Sequence, residues 1–527
     1  MLSIVGVNDL HGRIKTLPLF AGYVANLRRA RRNDGAVLVV DSGDMFQGTL
    51  ESNLTQGASV IAAYDALGVT AAALCNHEFD FGPLERGPSD PQGALKQRLR
   101  EASFPILSAN LRERATARIP RWDNLRPSAL IEVQGVKVGL IGVLTLATPR
   151  IVMASWFEGL EVTPLAPAIA AEARSLRKAG ATLVVVLAHA GGECTNFDDS
   201  HQLASCDGGE IFEVARQLPH GAVNAIFAGH THAGVAHFVD GIAIVEAYAY
   251  GHAFSRIDFT IDRPSGRVLD VFPFRPHRLC ALPPSETCAP GSYLGEPVEI
   301  DDKVKKQIMP GLERAAERRS QRLGVELTTP VLRAHRVESP LGNLFVDLML
   351  EAEPGSDVAI ANGGSLRSDL AAGDLTYGRL YESMPFDNHL ATFEINARDL
   401  AAVLARHFAN DQHGIVSLSG LRARAECSAG SLTVTLLRDG VPVAPDARLR
   451  VVTSDYLATG GDALFADFVS PESAAVLPTL LRDALAAGFR HHGGKLRGTD
   501  PRWFDPAKPR LILPEPRPVR CTNSVQN

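Results

Sequence analysis

Five short apolar runs between residues 4 and 232 each end directly on polar side chains able to bind a metal or carry a proton. Ile4 to Val7 leads into Asp9 and His11, Val37 to Val40 into Asp44, and Val69 to Leu74 into Asn76 and His77. "TLVVVLA" delivers His189, and Ala225 to Ala228 is followed by His230 and His232. Runs of this kind, alternating with helical patterns to about residue 275, mark sheet strands covered by helices. In one such helical stretch Thr163 can cap, Pro164 can take the first position, Ile169, Ala173 and Leu176 keep helical spacing, and Gly180 can end it. Strand-end groups converge in α/β sheets however far apart they lie in sequence. An α/β fold with one polar site is the expectation.

The chain has 527 residues, so length alone predicts two domains of roughly 200 to 280 residues. Residues 276–325, opening on "RPHRLCALPPSETC" and ending in a charged helix-favouring stretch, read as a connection with a linking helix. A second α+β pattern occupies 326–515. In it Leu341, Leu344, Phe345, Leu348 and Met349 keep helical spacing, "DVAIANGGS" is a strand into a Gly turn, and Asn396 can cap a helix. Residues 516–527 form a Pro-rich tail. A net charge of -6 gives no basic footprint, which argues against nucleic acid as a partner. No apolar run approaches the roughly 18 residues of a membrane span.

"MLSIVGVNDLHGR" enters a strand at once, without the pattern of a signal peptide, and taken literally that means a cytoplasmic protein. The cysteines point the other way. Six of the seven fall into possible pairs, Cys194 with Cys206, Cys280 with Cys288 and Cys427 with Cys521, which suits a periplasmic or extracellular protein. Cys75 is left over and reads as a small buried residue at a strand end.

Asp9, His11, Asp44, Asn76, His189, His230 and His232 make seven N/O ligands without a thiolate, a set that suits two divalent ions sharing one carboxylate. Asp44 is the choice for the shared group. His230 and His232, two apart, face one way on an extended segment, or serve one ion each if the loop turns at Gly229 and Gly234. Manganese, zinc, magnesium and cobalt all fit such donors.

In order and spacing "NDLHGR", "DSGDMFQGT", "CNHEFDFG", "LAHAGG" and "GHTHAG" resemble the signature blocks of the calcineurin-like metallophosphoesterases. "ANGGSLRSDL", "MPFDN" and "SDYLATGGDALF" resemble the C-terminal domain of the 5'-nucleotidase family, which has bacterial periplasmic and animal cell-surface members. The resemblance implies a two-domain α/β protein: an N-terminal four-layer αββα sandwich over residues 1–275 and a C-terminal α+β substrate-binding domain over 326–515. It implies one ion on Asp9, His11, Asp44 and His232, and another on Asp44, Asn76, His189 and His230. His77, oriented by Asp80, becomes a catalytic group and not a ligand. Arg367 would grip phosphate, with Arg336 a second candidate. Phe386 and Tyr456 would sandwich the base, Asp462 would bind ribose hydroxyls and Asn362 the nucleoside. Leu10, Cys75 and Tyr456 are small departures from the family pattern.

The activity so implied is release of phosphate from a nucleoside 5'-phosphate by attack of a metal-activated water. The alternatives are a UDP-sugar or 2',3'-cyclic nucleotide hydrolase, a non-nucleotide ester hydrolase on the same dimetal core, or a binding module without catalysis. With metals on one domain and base contacts on the other, catalysis would need the domains to close. Oligomeric state and physiological substrate stay open.

Overall fold

A computed structural model describes all residues except 85–89, 263–264, 281–290, 412–413, 429, 471–472 and 522–527, and the chain divides into two units, Met1–Ala315 and Ala316–Asn527. The first unit is built on two sheets. Strands β1 (Leu2–Val7), β2 (Ala36–Asp41), β3 (Ala71–Ala73), β4 (Ile106–Leu107) and β5 (Leu125–Arg126) lie parallel in one. Strands β6 (Ser128–Val133), β7 (Val136–Leu144), β8 (Leu183–His189), β9 (Ala225–Ala228), β10 (Gly234–Val239) and β11 (Ile242–Ala247) form the other, in the order β10-β11-β9-β8-β7-β6. Strands β12 (Ala253–Asp262) and β13 (Arg267–Arg278) return to the edge of β1, antiparallel to it and to each other.

Period-two alternation decides which side chains fill which layer. Leu2 and Ile4 of β1 meet Leu183, Val185 and Leu187 of β8 in the core between the sheets. Val5 and Val7 face outward onto Phe20, Val24 and Leu27 of helix α1 (Leu17–Ala30). Val184, Val186 and Ala188 face Ile169, Ala173 and Leu176 of helix α2 (Leu165–Lys178). Strands buried on both faces read as unbroken apolar runs, which is why the sequence shows them so clearly. The result is the four-layer αββα sandwich. Gly142 of β7 sits where a Cβ would stand 2.1 Å from the Leu107 carbonyl oxygen of the facing sheet.

Two local expectations shift. Helix α2 begins at Leu165 with Pro164 in the cap position, because both the amide and the hydroxyl of Thr163 donate to the Asn110 carbonyl. The first core also extends past residue 275. Strand β13 runs to Arg278, and Val298, Val304 and Ile308 are buried in the first unit. The last two lie on helix α3 (Asp302–Ser320), within which the units divide.

In the second unit, Ser339 caps helix α4 (Pro340–Ala352) by accepting from the Gly342 amide. A five-stranded sheet follows, made of β14 (Val358–Ala361), β15 (His389–Asn396), β16 (Ser417–Ser419), β17 (Arg448–Ser454) and β18 (Ala475–Leu480) in the order β16-β14-β17-β15-β18. Helix α5 (Ala397–Phe408) packs Leu400, Val403 and Leu404 onto Ile360, Phe393 and Val451, and helix α6 (Leu481–His492) closes the unit. Asn396 stands in the cap position of α5, but its amide donates to Asp399. Disulfides join Cys194 to Cys206 and Cys427 to Cys521, two of the three expected pairs. Cys288 of the third lies outside the described residues.

Candidate active site

The chain turns sharply as it leaves β1, β2 and β9, and it does so on the candidate ligands themselves. Asp9, His11, Asp44, His230 and His232 all have left-handed backbone, with φ of 49°, 48°, 55°, 83° and 57°. Such a conformation in a non-Gly residue costs about 1 kcal/mol or more and persists only where the surroundings over-determine it. Backbone bonds supply the constraint: the Asp9 amide donates to the Gly43 carbonyl and the His11 amide to that of Asp44, each at 2.9 Å. Each turn thereby aims its side chain into the same space.

Two groups meet there and share Asp44. In one, His11 Nε2 and His232 Nε2 are 3.1 Å apart, His232 Nε2 is 3.3 Å from Asp9 Oδ1, and His11 Nε2 is 3.7 Å from Asp44 Oδ2. In the other, His189 Nε2 is 3.1 Å from Asp44 Oδ2 and 3.2 Å from His230 Nδ1. His11 donates from Nδ1 to the Gln47 carbonyl and His189 from Nδ1 to the Ser42 carbonyl, which leaves both Nε2 lone pairs facing inward. Asn76 Oδ1 is buried and has no hydrogen-bond partner. Converging lone pairs and an orphaned amide oxygen are what a cation would satisfy. Oxygen and imidazole donors of this kind fit divalent ions.

Charges inside the site confirm how strongly it seeks positive partners. Burial opposes ionisation of Asp44, but His189 and His77 outweigh it and hold its carboxyl well below the usual range. Conversely, burial opposes protonation of His189 and of His77, yet Asp44 pushes the first up to about 9, and Asp44 with Asp80 pushes the second up to about 10. His11 behaves oppositely, lowered to about 4 chiefly by burial. Cys75 also lies beside Asp44 and His189. Burial, then Asp44 and Glu78, push its thiol up, and it donates to Asp44 Oδ1 at 2.9 Å.

His77 stands apart from the two groups. Its Nδ1 bonds Asp80 Oδ2, while Nε2 lies 3.8 Å from Asp44 Oδ2. Its side chain is 32% exposed, against 0% for His189, so the imidazole borders the open side of the site.

Two supporting residues, Asn8 and Glu246, escape sequence reasoning, and a third, Glu78, reads in the sequence as loop structure. Asn8 donates to Asp9 Oδ2 at 2.7 Å and accepts from the Ala247 amide at 3.0 Å. Glu78 accepts from the amides of Met45 and Cys75, next to Asp44 and Asn76. Glu246, fully buried, accepts from the Thr231 hydroxyl at 2.7 Å and from the Gly192 amide at 3.3 Å, tying the His230–His232 loop to the one after His189. Gly191 lies inside this knot, where a Cβ would meet Gly229 O at 2.4 Å and Glu246 Oε2 at 2.6 Å.

In the second unit, Asn362 donates to Asp462 Oδ2 at 2.7 Å and the Tyr456 hydroxyl donates to Asp462 Oδ1 at 2.9 Å, so these three form one cluster. The Arg367 guanidinium lies 5.1 Å over the Phe386 ring. Buried Arg482 holds that loop by donating to the Met384 and Phe386 carbonyls. Arg336 joins neither group: its Nε donates to the Arg517 carbonyl at 2.6 Å.

Two facing sheets between helices, with Asp, Asn and His gathered at the strand ends, are the arrangement that the resemblance to the calcineurin-like metallophosphoesterases implies. Residues 323–469 match the family model "5'-nucleotidase, C-terminal domain". Endonuclease YhcR of Bacillus subtilis is 27% identical over 492 residues, covering 88% of this chain but only 37% of that protein. A snake venom 5'-nucleotidase from Gloydius brevicauda is 25% identical over 527 residues, covering 88% of this chain and 81% of its own. Among solved structures, a 5'-nucleotidase precursor from Thermus thermophilus superposes with a TM-score of 0.63 at 22% identity, covering 98% of this chain and 100% of its own. Residues 323–469 therefore carry a 5'-nucleotidase C-terminal domain, and the chain as a whole has the fold of solved 5'-nucleotidases.

Proposed function

We propose that the protein is a dimetal phosphohydrolase that releases phosphate from nucleoside 5'-phosphates. The observation that carries this reading is the sharing of Asp44 by two converging donor groups, with the His77–Asp80 pair standing beside them. One ion would lie on Asp9, His11, Asp44 and His232, and the second on Asp44, Asn76, His189 and His230. Bound there, the ions would supply an acidified water as nucleophile and Lewis acidity toward the phosphoryl oxygens.

The chain's own residues do the rest. Asp80 fixes the His77 imidazole with Nδ1–H toward its carboxylate, leaving Nε2–H free to donate to a phosphoryl oxygen as charge develops. Arg367 offers a planar fork for a terminal phosphate, and Phe386 and Tyr456 offer faces for the base. Asp462 and Asn362, already hydrogen-bonded to each other, present acceptor and donor to ribose and nucleoside. The two disulfides favour an exported protein. No helix among the described residues is long and apolar enough to cross a membrane.

A phosphate-release screen on metal-stripped protein given manganese, with AMP, ADP, ATP, UDP-glucose and 2',3'-cyclic AMP, tests the assignment. Phosphate from the 5'-nucleotides is the expected result. Conversion of 2',3'-cyclic AMP to adenosine monophosphate without phosphate release from the 5'-nucleotides, read by chromatography of the products, would move the assignment to a phosphodiesterase, and no product from any of them would reject it.

A further inference from the structure

Beside the His11–His232 end of the site lies a cluster that none of these roles uses. The Tyr250 ring is 5.4 Å from the His11 ring, 5.1 Å from that of His232 and 6.0 Å from that of His252. The Arg13 guanidinium covers its face at 4.8 Å. On the next ring of the same segment, Arg278 lies 4.7 Å over Tyr248. Arg13, Arg278 and His252 are exposed, and among the described residues neither arginine has a carboxylate at ion-pair distance. Burial, then Arg13 and Arg278, lower His252 below the ordinary imidazole value.

The backbone adds an independent sign. Tyr248 and Tyr250 have φ of 56° and 63°, left-handed values that a bulky aromatic residue rarely adopts. Tyr250 is held so by its amide, which donates to the Asp9 carbonyl at 2.7 Å. Strain of this kind persists where the surroundings fix a geometry in use. Here it stands two rings beside the candidate metal ligands and presents a guanidinium on each.

We propose that Arg13 and Arg278, mounted on Tyr250 and Tyr248, form a subsite for a second phosphate of the substrate, so that the enzyme favours nucleoside diphosphates over monophosphates. The inference rests on the phosphohydrolase reading above and names its substrate class. Planar guanidinium forks suit phosphate oxygens, and their stacking on aromatic faces reduces the freedom lost when they bind. His252 adds a ring that an arriving anion would help to protonate.

The test is the ratio of kcat/KM for ADP to that for AMP in the full-length, metal-loaded protein and in Arg13→Ala, Arg278→Ala and the double variant. The expected result is a fall in that ratio of roughly tenfold or more in the double variant, through KM for ADP, with AMP unchanged. Arg13→Lys should keep part of the preference, which a purely structural role for the side chain on Tyr250 would not produce. An unchanged ratio, or equal losses on both nucleotides, overturns the proposal. Losses confined to a single-stranded oligonucleotide would assign the cluster to a polynucleotide backbone and equally overturn it. A wild-type protein that hydrolyses no nucleotide fails the underlying reading and takes this one with it, whereas AMP turnover with an unmoved ratio fails the subsite alone.

Discussion

The backbone amide of His77 donates to Asp44 Oδ1 at 3.1 Å, while its imidazole Nε2 stays 3.8 Å from Oδ2 of the same carboxylate. His77 is thus tied to the shared carboxylate by its main chain and not by its ring, beside the Cys75 thiol that donates to the same oxygen at 2.9 Å. Replacing the ring leaves that anchor in place. His77→Asn is expected to retain both metals by elemental analysis and to lose on the order of 10²-fold or more in kcat, the usual worth of a positioned proton donor. Loss of metal in this variant would show that the ring is a ligand after all.

Glu246→Ala removes the acceptor that joins Thr231 to Gly192, and supporting residues of this type are worth roughly 10- to 100-fold in metal affinity. Glu246→Gln keeps an acceptor oxygen and should retain most of it. Competition with a chromophoric chelator measures both, and equal weakening in the two variants would contradict the positioning role.

Metal loading is expected to release protons. His189 is pushed up to about 9 without metal, so at neutral pH it holds a proton that an ion must displace. Affinity should therefore fall as pH is lowered from 9. Titration calorimetry in buffers of different ionisation enthalpy reads the release directly. A metal heat independent of buffer would refute it.

Metal-free protein should show the opposite trend in stability. His189 has a raised value, so its contribution is fully present below the ordinary imidazole value of 6.5 and is lost as pH rises through about 9. Glu246 is raised to about 8 by burial and then by Asp9, so the folded state keeps a proton that the unfolded state loses from about 4.5 upward, and stability again falls with rising pH. Denaturant midpoints of chelated protein between pH 6 and 9 should decline, and less steeply in Glu246→Gln.

Phe386→Ala should raise KM for nucleotides by roughly tenfold, in line with about 1 to 3 kcal/mol per stacked base, and leave hydrolysis of a phosphate ester without a base unaffected. Equal effects on both esters would place Phe386 in packing alone.

The seven ligand candidates were legible in the sequence because strands buried on both faces print unbroken apolar runs, and the polar residue that ends each run stands out. Glu246 was not legible. It is the fifth residue of "IAIVEA", a polar interruption in a buried strand, and its partners Thr231 and Gly192 are 15 and 54 residues away. Arg336 shows the same limit from the other side. It reads as a second candidate for gripping phosphate, but the carbonyl it meets belongs to Arg517, 181 residues further on. The start of α2 shifted for a similar reason, since Thr163 spends its hydroxyl on Asn110.

The left-handed turns at Asp9, His11, Asp44, His230 and His232 restrict the alphabet from which this site can be written. Asp, Asn and His are the non-Gly residues enriched in that backbone region. A glutamate at position 9 or 44 would carry the right charge on a residue less suited to the turn, and a glycine would relax the turn but offer nothing to an ion. The folding of these loops therefore selects donor types before any metal does, and redesign toward a different ion has to begin with the backbone.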